Sequence, residues 1–159
     1  MKKSDRTDHP APSMTPGDLV EIDTGAGLAY LQITHDHASY PEVLRALPGL
    51  HGARPDDLTA LTAGETAFTA MVPLARMLAA GRLQGQRLGQ FALPDAARAF
   101  PTFRTPIRDR SGAVVYWWFW DGEGLRFDAD PGPEAERFPL REVIGADELL
   151  ARLRGMGAA

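Results

Sequence analysis

The sequence predicts a β-rich α+β domain, built on a small, strongly bent antiparallel sheet or a partly open barrel, with short inserted helices and a C-terminal helix. Two observations predict this class. Short strand-like segments recur between glycine-containing turns, and residues 146–154 carry an apolar stripe at helical spacing. The pattern gives no sign of repeated β-α-β units, which disfavours a parallel sheet.

The first predicted element is a hairpin. Leu19–Ile22 and Leu28–Thr34 are strand-like, and residues 23–27 supply glycines for the turn between them. Residues 43–50 fit either a strand or a short helix, and Pro48 limits both.

The middle of the chain alternates short helices and strands. Residues 55–58 combine a proline with two aspartates, a pattern typical of a helix start. Residues 68–72 predict a strand, and residues 73–81 predict a short helix that ends at a glycine. A strand over 82–91 and a turn of helix over 94–100 follow.

The strongest predicted strand is Val114–Trp120, in which β-branched and aromatic residues dominate. Residues 125–127 return as the second arm of a hairpin across residues 121–124. The chain closes with a helix over 146–154, which Gly155 ends.

Alternation along the aromatic strand divides its side chains between two faces. One face receives Tyr116, Trp118 and Trp120, and the other receives Val115, Trp117 and Phe119. Because both sets are apolar, two interpretations stay open. Either the strand is covered on both sides, or one face is an exposed aromatic patch.

The 159 residues amount to about one domain. Residues 17–159 contain no linker-like stretch and no internal repeat, so we expect a single globular domain there. Residues 1–16 place three prolines among polar neighbours, which predicts a disordered N-terminal tail.

Composition excludes several classes of site. The chain has no cysteine, so disulfides, thiolate metal sites, iron–sulfur clusters and cysteine nucleophiles are ruled out. No apolar core follows the first basic residues, and no apolar run reaches the length of a membrane helix. We therefore expect a cytoplasmic protein that does not bind membranes. The net charge of −4 disfavours nucleic acid as a partner.

Charge is banded along the sequence. Residues 17–73 and 121–148 are strongly acidic, whereas residues 74–110 are rich in arginine. Folding either mixes these bands into an ordinary surface, or the bands hold protomers together in a larger assembly. The sequence leaves the oligomeric state open.

One local pattern predicts a metal site. His35 and His37 lie two residues apart, so on a strand their imidazoles share one face, where they suit a transition metal. The spacing from His37 to Glu42 resembles part of the first cupin motif. However, Ala29 stands where that motif has glycine, and no histidine follows His51. The alternatives are a metal-dependent, cupin-like small-barrel enzyme and a pair of histidines at a strand end without metal.

Several short segments together resemble the bacterial immunity protein 26 family and its uncharacterised relatives. The resemblance spans most of residues 17–154, and its motifs are structural rather than catalytic. The segments are 17–22, 28–33, 72–74, 100–103, 117–122, 139–140 and the helix over 148–153.

This resemblance implies a small β-rich protein that binds and neutralises a bacterial toxin, with no catalysis and no cofactor of its own. The expected partner is a protein, such as a nuclease toxin whose basic cleft an acidic surface plugs. On this hypothesis aromatic side chains anchor the complex and acids steer it. The anchors are Trp118 and Trp120, and the acids are Asp121, Glu123, Asp128 and Asp130.

Overall fold

The computed structural model describes residues 13–159, which form two antiparallel sheets. The main sheet has the strand order β4-β3-β2-β1-β5, and the outer sheet has the order β6-β7-β8. Within these residues neither sheet closes into a barrel, and the predicted β-rich class is confirmed. The strands are β1 (Asp18–Asp23), β2 (Leu28–His37), β3 (Tyr40–Ala46), β4 (Phe68–Met71), β5 (Gln84–Gln90), β6 (Phe103–Arg108), β7 (Val114–Trp120) and β8 (Leu125–Asp128).

Three α-helices and two 3-10 helices connect or follow the strands. The α-helices are α1 (Leu58–Thr62), α2 (Leu74–Ala79) and α3 (Ala146–Arg154), and the 3-10 helices are Asp95–Ala97 and Pro133–Arg137. The predicted helix start before Leu58 is confirmed, since Asp57 Oδ1 accepts the Ala60 N–H at 2.9 Å. Within the described part of the chain, no helix is long and apolar enough to cross a membrane.

The predicted first hairpin is confirmed as β1 and β2, which pair from Leu19 opposite Gln32 to Asp23 opposite Leu28. Its turn needs glycine, because Gly25 has a φ of 80°. The Gly25 N–H also donates to Asp23 Oδ1 at 2.9 Å, which holds the turn closed. The ambiguous segment 43–50 is a strand as far as Ala46, where β3 ends, and Pro48 lies beyond that end.

The inner strands of the main sheet, β1 and β2, are buried on both faces. Between one face and helices α2 and α3 lies the main core, to which α3 contributes Leu149 and Leu153. The other face carries a smaller cluster around Leu19, Tyr30 and Leu47, against which residues of α1 and β5 pack. Burial on both faces explains why β1 and β2 read as nearly continuous apolar runs.

The outer sheet begins with β6, a strand that the sequence did not predict. Its apolar positions alternate, but two arginines and Pro106 interrupt the pattern. Proline is tolerated there because β6 is an edge strand, paired with β7 on one side.

A third group of side chains, called the junction cluster, joins the two sheets. Val43 and Met71 of the main sheet contact Phe103 and Trp120 of the outer sheet, with Tyr40 and Phe100 packed around them. The rings of Phe103 and Trp120 lie 5.9 Å apart. Only this end of the outer sheet is buried against the main sheet, so the other end projects away from the core.

Most of the predicted N-terminal tail, residues 1–16, is not described by the structure. Residues 1–12 are outside the described residues. Met14 packs against the main core, and the Thr15 N–H donates to Asp18 Oδ2 at 2.9 Å.

Arg45 ties a loop to the main sheet. Its side chain is 1% exposed and forms no ion pair within residues 13–159. The guanidinium instead donates to Gln32 Oε1 at 3.0 Å and to acceptors of Thr62, Gly64 and Thr66. Burial lowers the pKa of Arg45, and neutral acceptors satisfy most of its donors.

A second polar cluster surrounds Glu21. Arg54 donates Nε to Oε2 at 2.8 Å and Nη2 to Oε1 at 3.0 Å, and the Tyr30 hydroxyl donates to Oε2 at 2.8 Å. The hydrogen bonds from Arg54 outweigh burial and lower the pKa of Glu21 to about 2. Burial and the Glu21 carboxylate together raise the pKa of Tyr30.

This cluster predicts how stability depends on pH. Since the pKa of Glu21 is about 2 in the folded chain and 4.5 ordinarily, the carboxylate stabilises the fold above about pH 4.5 and loses that effect as the pH falls towards 2. Replacing Glu21 by glutamine lowers the free energy of unfolding by about 2 to 3 kcal/mol at neutral pH. Urea unfolding at several pH values measures this.

The control is Glu123→Gln, a change at an exposed carboxylate that accepts no hydrogen bond in the described chain. We expect it to change stability little at any pH. A Glu21→Gln deficit that stayed constant down to pH 2 would contradict the assignment.

Candidate protein-interaction surface

The outer sheet leaves half of one face uncovered. Its register places Trp118 between Thr105 and Phe127, and Tyr116 beside Ile107, on the same side as the buried Phe103 and Trp120. We call the uncovered part the aromatic face. It consists of Ile107, Tyr116, Trp118, Leu125 and Phe127.

The aromatic face is apolar and accessible. The exposed fraction is 77% for Phe127, 51% for Leu125 and 37% for Trp118. The ring of Tyr116 packs edge-on against Phe127, with centroids 6.1 Å apart. A shallow depression of about 330 Å³ is lined here by Val115, Tyr116, Trp118, Phe127 and Ala129. Contiguous exposed apolar surface of this kind makes the aromatic face a candidate interaction site.

The opposite face of the outer sheet is covered by the chain itself. The guanidinium of Arg104 lies 5.0 Å from the Trp117 ring, and that of Arg126 lies 4.4 Å from the Phe119 ring. Phe138 adds an edge-on contact to Phe119, at 5.8 Å between centroids. The two faces of this sheet therefore differ: one carries its own arginine cover, and the other is bare.

Of the four predicted steering acids, Asp121 and Glu123 lie in the β7-β8 turn and Asp130 follows β8, whereas Asp128 ends β8 opposite Trp117 and so lies on the other face of the sheet. Asp121 Oδ1 accepts the N–H groups of Glu123 at 3.0 Å and Gly124 at 2.9 Å, which lowers the pKa of Asp121. Asp128 Oδ1 accepts the Asp130 N–H at 3.0 Å. Two of the acids thus also hold local turns, while Glu123 and Asp130 are exposed.

The structure separates the two predicted anchors. Trp118 lies on the aromatic face. Trp120 is 7% exposed and lies in the junction cluster, where Arg141 covers its ring at 4.7 Å. Trp120 therefore supports the surface from inside the molecule rather than presenting a ring to a partner.

Part of the aromatic face was missed at the level of sequence. Leu125 and Phe127 alternate on the return arm of the hairpin, and counting across the turn places them opposite Trp120 and Trp118. Counting residues across the β7-β8 turn could therefore have identified Leu125 and Phe127 from the sequence. Ile107 offered none, because the strand that carries it was not predicted.

The side chains predicted as metal ligands form hydrogen bonds within the chain instead. His35 Nε2 lies 2.8 Å from the Arg98 carbonyl oxygen, and His37 Nδ1 accepts the Ser39 N–H at 3.1 Å. Glu42 Oε2 accepts the Leu74 N–H at 3.0 Å, in the first turn of α2, a donor that the Val72 carbonyl oxygen also accepts at 2.8 Å. Among residues 13–159, no group of three or more histidine, aspartate or glutamate side chains is placed to hold a metal ion. The structure therefore does not bring His35, His37 and Glu42 together as a ligand set.

Comparison of the chain with known proteins found no match. No family model matches the chain, and no curated protein or solved structure matches it. The resemblance to the immunity protein 26 family therefore stays a prediction.

Trp118 and Trp120 provide a matched test of the difference in burial between the two rings. Trp120→Ala removes a ring from the junction cluster, so we expect the free energy of unfolding to fall by about 3 to 5 kcal/mol. Trp118→Ala, on the same strand and face, should cost about 1 kcal/mol or less. Chemical denaturation followed by circular dichroism measures both. Equal losses would show that the two rings are buried alike, against the structure.

Glu42 can be tested as a helix cap rather than a ligand. Glu42→Ala leaves the Leu74 N–H with the Val72 carbonyl as its acceptor, so we expect the free energy of unfolding to fall by about 1 kcal/mol or less. Thermal unfolding of this variant and the wild type is compared with added zinc and with a chelator. A capping role predicts the same difference in both. Zinc-dependent stabilisation of the wild type that Glu42→Ala abolished would establish the metal site instead.

Proposed function

We propose that this chain is a non-catalytic binding protein, whose aromatic face docks a protein partner in an immunity-like role. The observation that carries the proposal is the bare aromatic face, in which Trp118 and Phe127 lie opposite each other on adjacent strands. Exposed aromatic rings gain the most from being desolvated by a complementary surface.

The shape of this surface favours a protein over a small molecule. The depression is shallow, and aromatic side chains from adjacent strands form an extended face instead of an enclosed pocket. Small ligands generally need a concave site that buries most of their surface. A protein can cover several rings at once.

Charge supports a basic partner. Acids in the β7-β8 turn and after β8 border the aromatic face, whereas Arg104 and Arg126 lie over rings on the opposite face. A negative rim attracts a positive surface and speeds its approach. The same rim repels phosphate, which disfavours nucleic acid here. Together with the family resemblance, this supports a basic toxin domain as the partner class.

We assign the residues of this surface distinct roles in partner binding. Trp118 and Phe127 supply the desolvated centre, and Glu123 and Asp130 supply exposed charge at the rim. Trp120 fixes the position of the sheet. On this account, loss of a central ring raises the rate of dissociation, whereas loss of a rim charge lowers the rate of association.

The test is capture of the partner with wild-type protein and with face variants. The tagged chain is mixed with nuclease-treated lysate of its source cells, the retained protein is identified by mass spectrometry, and its affinity is measured by calorimetry. We expect Trp118→Ala and Phe127→Ala each to weaken binding by about 2 kcal/mol or more, roughly thirtyfold.

Two exposed apolar residues away from the aromatic face, Leu140 and Val143, provide the control. The double variant Leu140→Ala, Val143→Ala should bind as the wild type does. A partner that binds all variants equally would place the interface elsewhere and contradict the proposal.

A further inference from the structure

One edge of the outer sheet is open. Strand β8 pairs with β7 on one side, and in the described part of the chain no backbone group of Leu125–Asp128 bonds to any other segment. An open edge presents a row of donors and acceptors that a further strand can pair with.

The register shows which groups face outward. The Asp121 N–H donates to the Gly124 carbonyl, which makes these two residues a hydrogen-bonded pair of the hairpin. Such pairs recur at every second position of an antiparallel ladder, so Arg126 and Asp128 also bond inward to β7. The N–H and C=O groups of Leu125 and Phe127 therefore point away from the sheet.

The two edges of the outer sheet differ in how far they are protected against pairing. Strand β6, at the opposite edge, carries Pro106, and the Arg104 N–H and carbonyl oxygen bond to residues 139 and 141. Strand β8 has neither proline nor lysine, and its outward-bonding residues carry exposed apolar side chains. The outward-bonding groups of β8 are therefore flanked by exposed apolar side chains and are free to pair with a further strand.

We propose that β8 pairs with β8 of a second copy of this chain, antiparallel and centred on Phe127. In this register Phe127 lies opposite Phe127 of the second copy, and Arg126 lies opposite Asp128 in both directions. Neither Arg126 nor Asp128 forms an ion pair within residues 13–159. The twofold arrangement thus creates two reciprocal ion pairs on one face and an aromatic contact on the other.

This pairing goes beyond the proposed function and shares one residue, Phe127, with it. It uses the edge of the outer sheet and joins two three-stranded sheets into one six-stranded sheet. The aromatic faces of both copies become continuous, with Trp118 still uncovered. Since the paired segment is short, the dimer should dissociate on dilution.

Sedimentation equilibrium of the isolated protein tests the pairing without any partner, so its failure leaves the proposed function untouched. We expect a reversible monomer–dimer equilibrium for the wild type. Arg126→Asp opposes two aspartates at each site and should raise the dissociation constant about tenfold or more. The double swap Arg126→Asp, Asp128→Arg restores opposite charges and should return the constant to within about threefold of the wild type.

Arg110→Asp makes the same charge change at an exposed residue outside β8 and should leave the equilibrium unchanged. The register is tested by single cysteines, because the chain has none of its own. A short bismaleimide should link Phe127→Cys into dimers and leave Leu125→Cys largely monomeric. A wild type that stays monomeric up to about 1 mM, a double swap without rescue, or preferential linking at position 125 would each overturn the proposal.

Discussion

The packing of Phe103 and Trp120 against the main sheet joins two sheets that share no strand. Both side chains lie at the inner end of the outer sheet, where they contact Val43 and Met71 of the main sheet. Because this contact involves one end of the outer sheet, its position is fixed while most of its length projects beyond the core. The extent of the junction cluster therefore decides which aromatic side chains are buried and which stay accessible.

A sheet of three strands cannot bury both of its faces by itself. Here the chain covers one face with Arg104 and Arg126 and leaves the other bare. The edge at β8 is also uncovered, because no other strand of the described chain pairs with it. We propose that the bare face binds a different protein. The opposite charges of Arg126 and Asp128, on either side of Phe127, are complementary to those of a second copy of the chain. The two proposals thus both arise from the uncovered parts of a three-stranded sheet, one from its face and one from its edge, and Phe127 belongs to both.

Local patterns predicted the elements whose signals lie close together in the sequence. The first hairpin, the start of α1 and the stripe of α3 follow from turn glycines, a capping aspartate and helical spacing, and all three are confirmed. Strand β6 was missed because Pro106 and arginines obscure its alternation. The separation of Trp118 from Trp120 also escaped prediction, since both occupy the same face and only the distance to the main sheet distinguishes them. The roles of His35 and Glu42 depend on Arg98 and Leu74, which are distant in sequence.

The central claim is that Trp118 is accessible in the free protein and covered when a partner binds. The most direct measurement is acrylamide quenching of Trp118 fluorescence in a variant that carries Trp117→Phe and Trp120→Phe, so that one tryptophan reports. The account predicts efficient quenching in the free protein and strong protection with saturating partner. Pairing of two copies along β8 leaves this ring uncovered and does not mimic the effect. Equal quenching in the free and bound protein would contradict the account.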